Sequence, residues 1–129
     1  MLERTFGAQR AATLYCSVDP DLYLATASPV RFDLGYMGTY SVDRQPSLTQ
    51  LLIEPARALP AQRLVVAGPQ YPHEIQWPTN VTRLEHVAPD AHARFYSSQR
   101  FTLNVTRADM IAAGYSPSVR LFEAAACGV

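Results

Sequence analysis

Arg63-Leu64-Val65-Val66-Ala67-Gly68-Pro69 is the stretch from which the fold is read. An unbroken apolar run, β-branched at its centre and closed by a Gly-Pro pair, reads as a buried strand. Just upstream, Pro46-Ser47 opens a helix with Leu48, Leu51, Leu52, Ala56 and Leu59 on one face, the 3.6-residue pattern of a helix lying on a sheet. Pro55 falls inside that helix and predicts a kink or break in its last turn, because proline has no N–H to donate. Before the helix, Asp33–Met37 is a short apolar strand ending at Gly38. After Pro69, Val81–Glu85 predicts a third strand and Phe101–Val105 a fourth. Between them Asp90 is placed to cap a helix through Ser98, with Ala91 and Phe95 facing inward. A last helix runs from Ser116, a good N-cap followed by Pro117 at the first helical position, to Cys127, and Gly128 ends it. Further out, Leu14-Tyr15-Cys16 reads as a short strand and Val18-Asp19-Pro20-Asp21 as a turn. Apolar strands joined by amphipathic helices predict an α/β layer fold, Rossmann-like, with a mainly parallel sheet flanked by helices.

Length and charge narrow the function. At 129 residues the chain has room for one domain with a real core. Eleven arginines balance eleven acids and no lysine occurs, so no long-range field draws nucleic acid or an anionic membrane. Cys16 and Cys127 lack the density or spacing of a disulfide framework or zinc site, which fits a reducing cytoplasm. The N-terminus has no basic stretch leading into an apolar run, and no segment approaches the ~20 apolar residues of a membrane span. Two glycosylation sequons, at Asn80 and Asn104, read as chance in that setting.

The densest chemistry lies between Thr106 and Gly128. Ser116, Arg120 and Glu123 share one face of the last helix, with Val119, Phe122 and Ala126 on a neighbouring apolar stripe. A helix N-terminus offers free N–H groups and partial positive charge, which suits a diphosphate. Arg120 can add a charge-assisted bond and Glu123 can accept from a ribose diol. Spacing alone favours a plainer reading, an Arg120–Glu123 pair on a solvated face, worth only ~0.3–0.5 kcal/mol. Gly38 ends a strand at the edge where open α/β sheets bind ligands, although a simple turn is the better explanation of a lone glycine and Gly-x-Gly-x-x-Gly is absent. His73, His86 and His92 form no metal-ligand spacing, and Ser97, Ser98 and Ser118 have no nucleophile-elbow context.

Ser116-Pro-Ser-Val-Arg-Leu-Phe-Glu-Ala-Ala-Ala-Cys-Gly128, preceded by Leu103-Asn-Val-Thr-Arg-Ala-Asp-Met110, resembles the CgeB-like (spore maturation protein B) family. That family looks like a branch of the GT-B group 1 glycosyltransferases. Asp43-Arg-Gln-Pro46, Val66-Ala-Gly-Pro69, Trp77-Pro-Thr-Asn-Val81 and Phe95-Tyr96 are similar to its blocks, so the resemblance covers nearly the whole chain. It implies a bacterial transferase that binds a nucleotide-diphosphate sugar without a metal ion or other cofactor. It implies that Glu123 holds the ribose hydroxyls, that Ser118 and Val119 meet the diphosphate at the helix start, and that Arg120 lies nearby. Gly38 matches the family's strand-end glycine, Thr39 replaces its arginine, and Arg44 takes the place of its phosphate-binding lysine. Thr106, Arg107 and Asp109 fall near the sugar. The family's second glutamate, eight residues before the first, is Tyr115 here, with Asp109 the nearest acid. That departure leaves room for a second reading, a non-catalytic spore-coat or surface-assembly module that keeps the fold.

The same resemblance divides the chain. Ser17-Val-Asp-Pro-Asp-Leu-Tyr23 is similar to the segment joining the two halves of a GT-B enzyme, so residues 1–32 are expected to be linker and hinge. Residues 33–129 are then expected to form the nucleotide-sugar domain, the C-terminal half of a GT-B fold stopping before its last strand. The N-terminal domain is the expected partner.

Overall fold

A computed structural model describes residues 2–114 and 117–129. Helix α1 (Leu2–Phe6) is followed by an exposed coil that holds no strand at Leu14–Cys16. The turn at Asp19 does form, closed by the Tyr23 N–H donating to the Asp19 carbonyl at 2.9 Å. Four strands then build one sheet: β1 (Phe32–Met37), β2 (Leu64–Ala67), β3 (Val81–Leu84) and β4 (Gln99–Leu103). Every neighbouring pair is parallel, and the order across the sheet is β3-β2-β1-β4. Residue pairing sets Leu34 beside Leu64 and Phe101, and Val65 beside Thr82.

Both faces of β2 are covered, which is why its four residues are all apolar. Leu64 and Val66 face the helical segment Gln45–Ala58 and join Leu48, Leu52, Ile53, Ala56 and Tyr36 in one core. Val65 and Ala67 face the other way, onto Ala93, Phe95 and Tyr96 of α4 (His92–Ser97), onto Ala124 of α6 (Val119–Ala126) and onto Cys127 at its C-cap. Val65 and Val66 have no exposed surface, and burying each such side chain is worth ~1.5–3 kcal/mol.

The helix after β1 departs from its expected pattern at Pro55. It does not break; it runs as α2 (Gln45–Leu48), a π-helical turn (Thr49–Ile53) and α3 (Glu54–Ala58). Proline gives the Leu51 carbonyl no N–H, and the chain widens so that the Glu54 N–H bonds back to Thr49. The wider turn brings Ile53 into the core and leaves Leu51 and Leu59 about half exposed, against the expected stripe.

Three other boundaries shift. Asp90 makes no side-chain cap; it sits in the first turn of a 3-10 segment (Pro89–Ala91) that leads into α4, and Ala93 and Tyr96 are buried beside Phe95. Strand β4 starts two residues before the expected Phe101, because the Gln99 side chain fills the space left by Gly35 and donates to the Phe95 carbonyl at 2.9 Å. Residues expected to be loop after β4 include a short helix, α5 (Ala108–Ala113). The last helix starts at Val119 with Ser118 as its N-cap, and Gly128 ends it at φ +79°. The expected cap at Ser116 lies outside the described residues. Val119 is exposed while Ala124 and Cys127 are buried, so the apolar face is rotated from the expected Val119–Phe122–Ala126 stripe.

Candidate functional site

The strand order places a crevice at the carboxyl edge of the sheet. The chain leaves β1 toward β2 on one side, while β4 lies on the other, and ligands in open α/β sheets bind where the order reverses. Beyond the strand ends the backbone pairing continues. The Gly38 N–H donates to the Ala67 carbonyl at 2.8 Å, the Tyr40 N–H to Pro69 at 3.0 Å, and the Gly68 N–H to Leu84 at 2.9 Å. Two glycines make this close approach possible. Gly68 adopts φ +137°, and a Cβ there would overlap the Gly38 carbonyl. A Cβ on Gly38 would fall 2.7 Å from the Tyr36 hydroxyl. The floor of the site is therefore bare main chain.

One edge of that floor is braced by a cluster that sequence reading did not single out. Arg83 donates to the carbonyls of Val66 and Gly68, and its guanidinium lies 4.2 Å from the Tyr71 ring centre and 4.8 Å from that of Trp77. The Tyr71 hydroxyl donates to the Gly38 carbonyl at 3.1 Å, and burial pushes its pKa well up, so it stays a donor. In the sequence Trp77 belongs to the block Trp77–Val81, and nothing in the spacing ties it to Arg83 or Tyr71.

Helix α6 forms the opposite wall. Ser118 caps it by accepting from the Arg120 N–H at 3.4 Å. The Arg120 guanidinium reaches over β1, its carbon 5.4 Å from the Tyr36 ring centre, and its buried Nε has no hydrogen-bond partner among the described residues. Glu123 accepts from the Tyr96 hydroxyl at 2.9 Å. Arg120 and Glu123 thus do not pair with one another; Arg100–Asp33, at 4.0 Å, is the one ion pair among the described residues.

Of the residues predicted for the site, Gly38, Thr39, Val119, Arg120 and Glu123 line a single cleft of about 280 Å³ with Gly68, His86 and His92. His86 and His92 had looked unrelated because a proline separates them, yet the turn before α4 brings both to this wall. The Val87 carbonyl can only accept, so His92 Nε2 donates to it at 3.1 Å and Nδ1 is left to accept from the Tyr23 hydroxyl, also 3.1 Å away. Burial and the neighbouring Glu123 push the Tyr23 pKa up to about 12.

Thr39 is shared with a second cleft of about 390 Å³, lined by Tyr40, Asp43, Gln70, Arg107 and Asp109, between the exits of β1 and β4. Asp43 accepts from the Ser41 hydroxyl and from the Ala108 N–H at 2.9 Å, and these bonds hold its carboxyl below the usual range. Three predicted residues, Arg44, Thr106 and Ser118, line neither cleft. Arg44 is buried beneath the β1 exit, with Nε donating to Ser41 Oγ at 3.1 Å and Nη2 to the Thr39 carbonyl. Thr106 accepts from the Asn104 amide at 3.2 Å and borders a separate cleft with Met110, Ile111 and Phe122. Ser118 acts through the helix cap, and Tyr115 lies outside the described residues. Among the described residues, no three His, Cys, Asp or Glu side chains gather as for a metal ion, and no helix is long and apolar enough to cross a membrane.

Comparison with known families matches residues 44–129, two-thirds of the chain, to the glycosyl transferase-like family. The matched residues include β2, β3, β4 and α6, while β1, Gly38 and Thr39 lie before them. No curated protein and no solved structure matches the chain.

Proposed function

The chain belongs to the glycosyl transferase-like family, and on that premise we propose that the cleft between the β1 exit and α6 binds the nucleoside-diphosphate portion of a sugar donor. The observation that carries this reading is the pair Arg120 and Glu123, set one turn apart on α6 and both lining a cleft floored by bare backbone. Arg120 and the N–H groups of the first turn of α6 offer positive charge to a diphosphate. The same groups stabilise the negative charge that develops on the leaving diphosphate as the glycosidic bond breaks. Glu123 offers carboxylate oxygens to a ribose diol. Arg107 and Asp109, in the adjoining cleft, lie beyond Thr39 where the sugar would extend. Because protein groups supply the charge, the reaction proceeds without a bound metal ion.

The finer assignment is to the CgeB-like branch of the GT-B enzymes, supported by the blocks Asp43–Pro46, Trp77–Val81 and Ser118–Gly128. On that assignment residues 1–32 are hinge, a second domain of the same chain brings the acceptor, and two unpaired cysteines suit a reducing cytoplasm.

Calorimetric titration with UDP, GDP, TDP and ADP tests the proposal. Selective binding of one base is expected, with Glu123→Ala weakening it by about 1.5–3 kcal/mol for charged hydrogen bonds. Equal affinity in Glu123→Ala and wild type would remove Glu123 from the site, and a folded protein that binds none of the four would end the donor-site reading.

A further inference from the structure

We propose that Tyr96 is the positioning residue for Glu123, holding its carboxylate ready for a vicinal diol; this rests on the donor-site reading above. Tyr96 is fully buried on α4, its ring packed edge-on to Phe95 with centroids 5.8 Å apart. A buried phenol needs a partner for its hydroxyl, and the one it has is Glu123 Oε2 at 2.9 Å. The bond crosses from one helix to another, between elements 27 residues apart in sequence, and it joins the core to a cleft-lining side chain. Burial and the Glu123 charge hold the Tyr96 hydroxyl protonated, so the direction of the bond is fixed from phenol to carboxylate.

The consequence is geometric. A carboxylate offers two oxygens with about four acceptor sites. Tyr96 takes one on Oε2 and thereby sets the plane of the group, Tyr23 also faces the carboxylate, and the acceptor sites that remain can receive two adjacent hydroxyls. A long side chain that would otherwise lose rotamer freedom on binding is held in place beforehand, which is how preorganisation raises affinity. Tyr96 touches no substrate in this scheme; it acts only through Glu123.

The test compares wild type, Tyr96→Phe and Cys127→Ala, the last a packing change at the buried C-cap of α6, the helix that carries Glu123. Each is titrated with UDP, GDP and ADP and with their 2′,3′-dideoxy counterparts, and each is melted to measure stability. For whichever base binds, Tyr96→Phe is expected to weaken the ribonucleotide by about tenfold, in line with loss of a hydrogen bond to a charged group. The dideoxy counterpart should change less than about twofold, since it lacks the hydroxyls that Glu123 would receive. Cys127→Ala should lower the melting temperature and leave the ratio of the two affinities where it was. Equal losses for both ligands in Tyr96→Phe, or the same change of ratio in Cys127→Ala, would overturn the positioning role while the donor-site reading stood. Wild type that binds none of the ribonucleotides would end this proposal, and wild type that does not bind TDP either would end the donor-site reading with it.

Discussion

Two arginines expected near the phosphates are held in different ways. Arg44 stands where the family resemblance puts a phosphate-binding cation, yet its fork is spent on Ser41 and the Thr39 carbonyl beneath the β1 exit. Arg120 reads from spacing as half of a surface pair, yet it lies over Tyr36 with a buried Nε that has no partner among the described residues. Opposite outcomes are therefore expected from the same substitution. Arg44→Ala should lower the unfolding free energy by about 1–3 kcal/mol, because the Thr39 carbonyl loses its partner. Arg120→Ala should cost affinity for nucleoside diphosphate about tenfold or more through a lost charged bond, with a smaller loss of stability than Arg44→Ala. Urea unfolding and calorimetry on both variants decide it; a stability loss confined to Arg120→Ala would reverse the assignment. Gly68 is the other residue whose change reads out the site. At φ +137° any side chain is strained, by about 1–3 kcal/mol, and a Cβ also meets the Gly38 carbonyl. Gly68→Ala should thus lower the urea midpoint and weaken nucleotide binding together, and an unshifted midpoint would mean that the two strand exits are not clasped as described.

At the scale of elements, α5 depends on a carboxylate from another part of the chain. Its N-cap, Arg107, makes no side-chain cap, and the Ala108 N–H is met instead by Asp43. Hydrogen bonds from the Ser41 hydroxyl and then from Ala108 lower the Asp43 pKa in the folded state. A carboxyl whose folded pKa is depressed contributes stability that is present above its unfolded pKa and is lost as pH falls through the folded one. Below that folded pKa, α5 should loosen before the sheet does. Amide exchange at Ala108 followed from neutral to acid pH checks this: protection should fall with acid in wild type and be low and pH-independent in Asp43→Ala, which leaves no side-chain acceptor. The elements were unequally legible. Strands β1 and β2 and the close of α6 at Gly128 follow from apolar runs and from glycine, signals carried by the residues themselves. The π turn was not legible, because its cause is a missing N–H at Pro55 whose effect depends on how the sheet receives Ile53. Strand β4 was placed two residues late for a similar reason: Gln99 looks like a surface residue until Gly35 opens the space beneath it. Helix α5, capped from 65 residues away, has no local signal strong enough to announce it.

At the scale of the molecule, the sheet order β3-β2-β1-β4 brings residues far apart in sequence to the lining of shared clefts. Parallel pairing puts every strand's carboxyl end on one edge, and the reversal of order beside β1 opens that edge into clefts. The α6 face was legible in part, since Arg120 and Glu123 do lie within one turn of each other on the cleft side. The floor was not, because Gly38 and Gly68 come together only when β1 and β2 pair. The braces at Tyr71, Arg83 and Tyr96 are likewise products of tertiary packing. A cleft assembled this way from β1, β2, α4 and α6 exists only in the folded chain, so the ligand proposed for it should stabilise the whole fold. For a ligand that binds only the native state, the gain is RT ln(1 + [L]/Kd), about 2.7 kcal/mol at a hundredfold excess over Kd. In a domain of this size such a gain raises the melting temperature by on the order of 10 °C. Scanning calorimetry with the nucleoside diphosphate that binds should show that rise, it should be the same with EDTA present if no metal ion takes part, and the Arg120→Ala, Glu123→Ala double variant should lose most of it. A rise that EDTA abolishes would bring a metal ion into the site, and a rise that survives the double variant would move the ligand to another of the clefts.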